Sequence, residues 1–340
     1  MSGKKLPFGI IGAGRIGRVH ANSLAFQIPE AEIVSVFDVN REAAGRLAAD
    51  FNIPNIAGTV DDILGDKRIE AVAICSSTDT HAEMIVRSAQ AGKHIFCEKP
   101  ISYTLKQIDG ALAAVEKAGV KLQIGFNRRF DTNYARVRKA VADGEIGKPC
   151  LVHIVSRDPL PPLISFVKVS GGMFLDMMIH DFDMARFLTG DEVEEVYAAA
   201  GVMADPAIGE VGDVDTAIVT LHFRGGAIGT IDNSRKAVFG YDQRVEILGT
   251  EGKIASENRF PNQVVVSTGK AVYSDLPLNF FMDRYTDSFA EELRQFTRAV
   301  LDGRPVPVTG ADSRVPVIMA PAARKSYDEH RPVKLVEVSA

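Results

Sequence analysis

Along the first 125 residues, short apolar runs alternate with longer stretches whose apolar positions recur every three or four residues. The runs fall at 8–11, 33–37, 71–75, 94–97 and 121–124, and the helix-like stretches at 16–25, 41–51, 81–91 and 105–118. Strands alternating with helices of this length predict βαβ units and a parallel sheet buried on both faces. Right-handed crossovers make that sheet doubly wound. From about Gly125 the pattern changes. A helix over 134–141 and a strand over 150–156 precede a Pro- and Gly-bearing stretch, 157–172, predicted to be irregular. A helix over 174–188 then leads into strands in series at 193–201, 216–223, 227–234, 243–248 and 263–267. Strands without intervening helices predict a large, open, mostly antiparallel sheet. Helices at 281–301 and 312–327 close the chain. The expected fold is α/β: a parallel-sheet domain over 1–125 and an α+β domain over 126–340, whose final helices are free to pack back on the first.

Composition agrees with this and excludes several classes. A chain of 340 residues suits two domains of roughly 150 residues each. With 46% hydrophobic and 24% charged residues it has ample core material, which argues against disorder. The balance of 39 basic against 44 acidic residues, net −5, argues against a basic nucleic-acid surface. No apolar run approaches the roughly 20 residues needed to span a bilayer. The opening Met1-Ser2-Gly3-Lys4-Lys5 does not read as a secretory leader. Cys75, Cys97 and Cys150 are too scattered for a disulfide framework. The expectation is a soluble, cytoplasmic, reduced protein.

Candidate chemistry begins at Gly12-Ala13-Gly14-Arg15-Ile16-Gly17, directly after the first predicted strand and at the start of the first helix. A dinucleotide site needs a tight turn, close backbone approach to the pyrophosphate and close helix–strand packing, which Gly12, Gly14 and Gly17 provide in order. The helix N-terminus presents free N–H groups to the phosphates. Asp38 ends the second strand about 20 residues on, where a carboxylate accepts the adenosine ribose hydroxyls. Its charge repels a 2′-phosphate and so favours NAD over NADP. Arg41 reads as a solvated charge in the next helix.

Two further strand ends carry polar residues. Ser76, Ser77 and Thr78, with His81, follow the third strand and are placed to line a cofactor; Asp79 or Thr80 is expected to cap the helix beginning near His81. Glu98-Lys99-Pro100 follows the fourth strand, where a lysine is either functional or a solvated charge. In the second domain, Asp176 and His180 are four apart on a predicted, largely buried helix and share a face. Three readings fit them, taken in this order: proton transfer with the carboxylate orienting the ring, a histidine satisfied within the core, and metal ligation with Asp181 and Asp183. No second His or Cys cluster completes a metal site, and none is expected.

The glycine turn, Glu98-Lys99-Pro100, the run Gly125-Phe126-Asn127-Arg128-Arg129-Phe130 and the Asp176/His180 helix together resemble the glucose–fructose oxidoreductase/inositol dehydrogenase (Gfo/Idh/MocA) family over nearly the whole chain. The run from Gly172 to Arg186 is particularly similar to the family's bacterial myo-inositol 2-dehydrogenase branch. The resemblance implies a Lys, an Asp and a His around the reacting carbon, matching Lys99, Asp176 and His180, and an arginine near the polyol, matching Arg128. Asp158 falls where related dehydrogenases place an asparagine against a substrate hydroxyl. The implied activity is NAD-dependent oxidation of a ring secondary alcohol, with myo-inositol to its 2-keto form as the leading case. The alternatives are scyllo- or chiro-inositol or an aldose as substrate, and, outside catalysis, an NAD-sensing regulatory protein. Family members often form tetramers through the outer face of the C-terminal sheet, so a homotetramer is expected.

Overall fold

Six parallel strands build the first sheet of the computed structural model, which describes residues 3–339. They are β1 (Leu6–Ile11), β2 (Ala31–Phe37), β3 (Asn55–Ile56), β4 (Ala71–Ile74), β5 (His94–Glu98) and β6 (Leu122–Gly125), ordered β3-β2-β1-β4-β5-β6. The order reverses between β1 and β4, and open α/β sheets bind ligands at such a reversal, outside the strands' carboxyl ends. The connecting helices are α1 (Arg15–Asn22), α2 (Arg41–Phe51), α3 (Val60–Gly65), α4 (Thr78–Gln90) and α5 (Leu105–Ala118). Local chemistry sets their ends. The Asn40 side chain accepts the N–H groups of Glu42 and Ala43 at the start of α2, and Asn52 stops it in a left-handed conformation. The short β3 and α3 escape the periodicity, although Thr59 and Asp62 form a capping box that marks the start of α3. After α1 the chain continues as a π turn, Ser23–Gln27, rather than the α-helix expected to 25.

The compact unit around this sheet takes the chain up to Phe130 and recovers Thr286–Val317. Leu293 and Phe296 from the recovered segment join Leu6, Phe8, Ile10, Ala21 and Leu24 in one buried cluster. That burial is what ties the late segment to the first sheet.

The second unit holds Asp131–Tyr285 and the chain from Ile318 on. After α6 (Thr132–Ala142), its strands are β7 (Pro149–Arg157), β8 (Val193–Gly201), β9 (Thr216–Phe223), β10 (Ile228–Ser234), β11 (Asp242–Gly249), β12 (Lys253–Ser256), the separate hairpin β13 (Val265–Ser267) and β14 (Val272–Ser274), and β15 (Val333–Lys334). The seven-stranded order is β12-β11-β7-β10-β9-β8-β15, antiparallel throughout except for the parallel pair β7–β10. The strand expected at 263–267 belongs to the hairpin, not to this sheet.

Two further expectations are corrected in this unit. The stretch 157–172 is not irregular, because α7 (Ile164–Ser170) forms within it. Pro159, Pro161 and Pro162 precede the helix and Gly171, at φ 89°, ends it, so the breakers bracket the helix instead of preventing it. The helix expected over 174–188 is two pieces, a π turn at Met173–Met177 followed by α8 (Ile179–Thr189). A short α9 (Pro206–Glu210) follows. The chain passes between units in α10 (Phe281–Leu301), at the non-helical Tyr285, and again in α11 (Gly310–Glu329). No helix among the described residues is long and apolar enough to cross a membrane.

Candidate active site

The glycine turn joins β1 to α1. Gly12 has φ +106°, and a Cβ there would lie 2.5 Å from the carbonyl carbon of Cys75. At Gly17 a Cβ would sit 2.1 Å from the Gly12 carbonyl oxygen, so α1 packs on the turn only with glycine there. Gly14 differs: its Cβ direction faces open space. Gly14 is also the N-cap of α1 and supplies no capping side chain, so the first-turn N–H groups are left for an anion. Arg15 is exposed and Ile16 half-buried beside this bare edge. Asp38 lies just past β2. Its Oδ2 accepts the Ala13 N–H at 2.6 Å and its Oδ1 the Asn40 N–H at 2.7 Å. A carboxylate offers about four lone-pair sites, so two remain for ribose hydroxyls. The residues present fit a dinucleotide.

After β4, the helix α4 starts at Thr78, earlier than expected, and neither Asp79 nor Thr80 caps it. Ser77 is the cap residue, while Thr80 donates its hydroxyl back to the Ser77 carbonyl at 2.8 Å and lies 2.6 Å from Ser76 Oγ. His81 is buried, with Nδ1 2.8 Å from the Pro100 carbonyl oxygen and Nε2 3.0 Å from that of Ser76. Its ring therefore links the loop after β4 to the loop after β5. In β5 Glu98 pairs with Gly125 of β6, which sets Lys99 and the 3-10 turn Asn127–Phe130 at adjacent strand ends. Lys99 is half-buried, and Arg128 on that turn is buried. The Glu98 carboxylate lies 2.6 Å from His20 Nε2 and accepts the Lys99 backbone N–H at 3.3 Å.

In the second unit the carboxyl ends of the parallel pair β7–β10 gather the other predicted residues. Asp158 follows β7; its N–H donates to the Ser234 carbonyl at 2.9 Å and its carbonyl accepts from Ala237 at 2.7 Å. The first turn of α8 is held to β10 by Asn233, whose amide donates to Asp181 Oδ2 at 3.0 Å. This fixes the position of His180, one residue earlier. Asp176 lies on the π turn, with Oδ2 3.7 Å from Nη2 of the buried Arg235; Asp213, whose carboxylate accepts the Met173 N–H, is 4.0 Å from the same nitrogen. The structure thus places Gly12, Gly14, Gly17, Asp38, Ser76, His81, Lys99 and Arg128 along one sheet edge, and Asp158, Asp176 and His180 at the end of the other sheet.

Sequence reasoning missed Arg235, Asp213, His20 and Glu292. A lone arginine after a strand has no periodic signature, and neither has Asp213. His20 and Glu292 were detectable. His20 falls on the buried stripe Gly17, His20, Ala21 of α1, and Glu292 on the stripe Phe289, Leu293, Phe296 of α10. A titratable residue inside such a stripe is the anomaly to look for.

A bare glycine turn at the reversal point of a doubly wound sheet, with a carboxylate beside it and a second mixed-sheet domain, defines a dinucleotide-dependent oxidoreductase. Residues 6–126 match the family model described as an oxidoreductase family with an NAD-binding Rossmann fold, and residues 134–255 match the GFO/IDH/MocA C-terminal domain. The chain is 45% identical over 330 residues to a myo-inositol 2-dehydrogenase of Thermotoga maritima, covering 97% of this chain and 98% of that protein. It is 44% identical over 329 residues to an inositol 2-dehydrogenase of Rhizobium meliloti, covering 96% and 98%. A crystal structure of a probable dehydrogenase from Thermotoga maritima superimposes with a TM-score of 0.96 at 45% identity, over 98% of this chain and 100% of that one. The chain belongs to the GFO/IDH/MocA family of oxidoreductases.

Proposed function

We propose that this oxidoreductase uses NAD to oxidise a ring secondary alcohol of a cyclitol, with myo-inositol to its 2-keto form (scyllo-inosose) as the leading reaction. The glycine turn, closed at Gly12 and Gly17 and open at Gly14, carries the dehydrogenase reading. The relatives' names carry the choice of substrate. The cofactor supplies the hydride acceptor. His180 takes the hydroxyl proton, and Asp176 orients the imidazole or accepts from a second hydroxyl. Lys99 polarises the reacting oxygen and lowers its proton affinity. Arg128 and Asp158 contact ring hydroxyls. The glycine turn with Arg15 and Ile16, Asp38, the loop of Ser76, Ser77 and Thr78, His81, and the Glu98-Lys99 turn hold the dinucleotide. The first unit is the cofactor domain and the second the substrate domain. Hydroxyl configuration is read by a few hydrogen bonds, so scyllo-inositol, chiro-inositol and aldoses are the comparison substrates. NADH formation across such a panel should favour myo-inositol by about tenfold or more in kcat/KM. No NADH with any of them would leave the NAD-sensing protein standing instead.

Asp38 sets the preference for NAD. Val39 beside it is 94% exposed, so a basic side chain there has room to meet a 2′-phosphate. Asp38→Ser with Val39→Arg removes hydrogen bonds to a charged acceptor and relieves repulsion. The NAD-to-NADP ratio of kcat/KM should fall by about tenfold to a hundredfold. An unchanged ratio would reduce Asp38 to a fastener of the glycine turn.

The second sheet supports a homotetramer. Leu248, Leu151 and Ile228 line up across β11, β7 and β10 and are each at least 41% exposed, with Tyr197 and Ile218 also exposed on β8 and β9. A contiguous apolar row on a sheet face calls for a covering surface, and a second copy supplies it. Sedimentation showing only the 36.8 kDa species at micromolar concentration would sink this. Three free cysteines and the lack, among the described residues, of a helix long and apolar enough to cross a membrane support a cytoplasmic enzyme, and activity confined to a membrane or periplasmic fraction would contradict that.

A further inference from the structure

We propose that His20 and Glu292 are positioning residues that act through Glu98: His20 grips the Glu98 carboxylate, Glu292 stands beside it as an uncharged carboxylic acid, and together they hold the Glu98-Lys99 turn. The three side chains come from α1, the end of β5 and α10, and their polar atoms lie within 4.8 Å of one another. Exposure is 0% for His20, 8% for Glu98 and 0% for Glu292. Glu98 spends one oxygen on His20 Nε2 at 2.6 Å and the other on the Lys99 N–H at 3.3 Å. The His20 ring is set edge-on against Phe96 and Phe289, with centroids 5.0 and 5.8 Å away. Gly125 leaves the carboxyl room, since a Cβ there would sit 3.2 Å from it.

Among the described residues neither carboxyl oxygen of Glu292 has a hydrogen-bond partner; Gln123 donates only to its backbone carbonyl, at 2.7 Å. An ionised carboxylate without a donor, next to a second carboxylate, is a very costly group to bury, and holding a proton removes that cost. Burial first, and the Glu98 charge second, push the Glu292 carboxyl well above its usual range. The other titratable groups facing this pocket are His20 from α1, the Cys75 thiol after β4 and the Cys97 thiol in β5; burial and the Glu98 charge push both thiols up as well. A proton held on Glu292 explains the geometry better than a metal ion. Two ligands of a tetrahedral zinc with bonds of about 2.0–2.1 Å stand about 3.3 Å apart, well beyond the His20–Glu98 approach.

Glu292→Gln in the full chain tests this, because glutamine keeps the shape and a donor and cannot ionise. The infrared difference between wild type and variant at neutral pH should contain the carbonyl stretch of a protonated carboxylic acid. Thermal unfolding supplies the sign. The folded state keeps a proton that the unfolded carboxyl releases, so wild-type stability falls with rising pH relative to the variant. The variant's advantage in Tm should therefore widen from about pH 5 to about pH 8. A missing band, a pH-independent difference in Tm, or a stoichiometric divalent metal lost on substitution would overturn the proposal. The positioning role rests on the reading of Lys99 given above and is tested separately. Glu292→Met, which removes the polar group beside Glu98, should lower kcat by about tenfold with a smaller change in KM for NAD, and Glu292→Gln, which keeps one, should recover part of the loss. Wild-type kcat in Glu292→Met would overturn the positioning role. Full turnover in Lys99→Ala would instead overturn the reading of Lys99 and leave the infrared and Tm results as the measure of Glu292.

Discussion

His180→Ala is expected to lower kcat by roughly a hundredfold to ten-thousandfold, the usual cost of removing a positioned general base. The loss should fall on turnover and leave NAD affinity nearly intact, because His180 belongs to the second unit and the glycine turn to the first. The variant should fold. His180 is only half-buried, and the start of α8 stays attached to β10 through the Asn233–Asp181 hydrogen bond. Alcohol oxidation releases a proton, so wild-type kcat/KM should rise with pH until the base is fully deprotonated. That rise should flatten in the variant. Thermal unfolding is the control, since a misfolded variant would also melt early. Near-normal turnover in folded His180→Ala would return the residue to the structural reading.

Lys99→Ala should cost a comparable factor, about a hundredfold or more, because a fixed cation beside a developing alkoxide stabilises charge that water would otherwise have to solvate. The lysine stands on a well-held turn. Its own N–H is accepted by Glu98, and the carbonyl of the next residue, Pro100, lies within hydrogen-bond distance of the buried His81. A cation held on such a turn needs little reorganisation when the charge develops. Lys99→Arg should retain part of the activity if charge is what matters, and less than the parent, because the guanidinium is larger and differently shaped. Measured kcat and KM separate two roles: a fall in kcat marks a contact made only in the transition state, and a rise in KM alone marks simple polyol binding. Wild-type rates in Lys99→Ala would reduce the residue to a solvated charge.

Much of the fold was legible in the sequence. The glycine turn is local: Gly12, Gly14 and Gly17 sit within one turn, so their spacing dictates the backbone geometry that a pyrophosphate needs. Helices α2, α5 and α10 run over the spans their apolar periodicity predicts, and β8 and β9 do likewise. The breaks in pattern came where local rules compete. Prolines and glycines around 157–172 suggested a loop, but their order, prolines before and glycine after, admits a helix between them. Spacing alone puts Asp176 and His180 on one helix face, whereas the structure sets Asp176 on the π turn and His180 in α8, with the Met173 N–H at the start of that turn accepted by the Asp213 carboxylate from 40 residues away.

The sequence by itself determined the two sheet types and the dinucleotide turn, because each of these is written in spacings of a few residues, whereas Lys99, Asp176 and His180 were singled out as a set only by the family resemblance. Only the tertiary structure decided what surrounds them. Arg235 reaches Asp176 because β10 ends beside the π turn, and Glu98 meets His20 across 78 residues because the His20 ring of α1 packs on Phe96 of β5. Glu292 completes that group only because the chain returns to the first sheet near its end. Hydrogen bonds within a turn follow from the backbone repeat and leave a local pattern. Contacts between distant side chains depend on strand register and helix packing, which fix positions in space without constraining any short run of sequence.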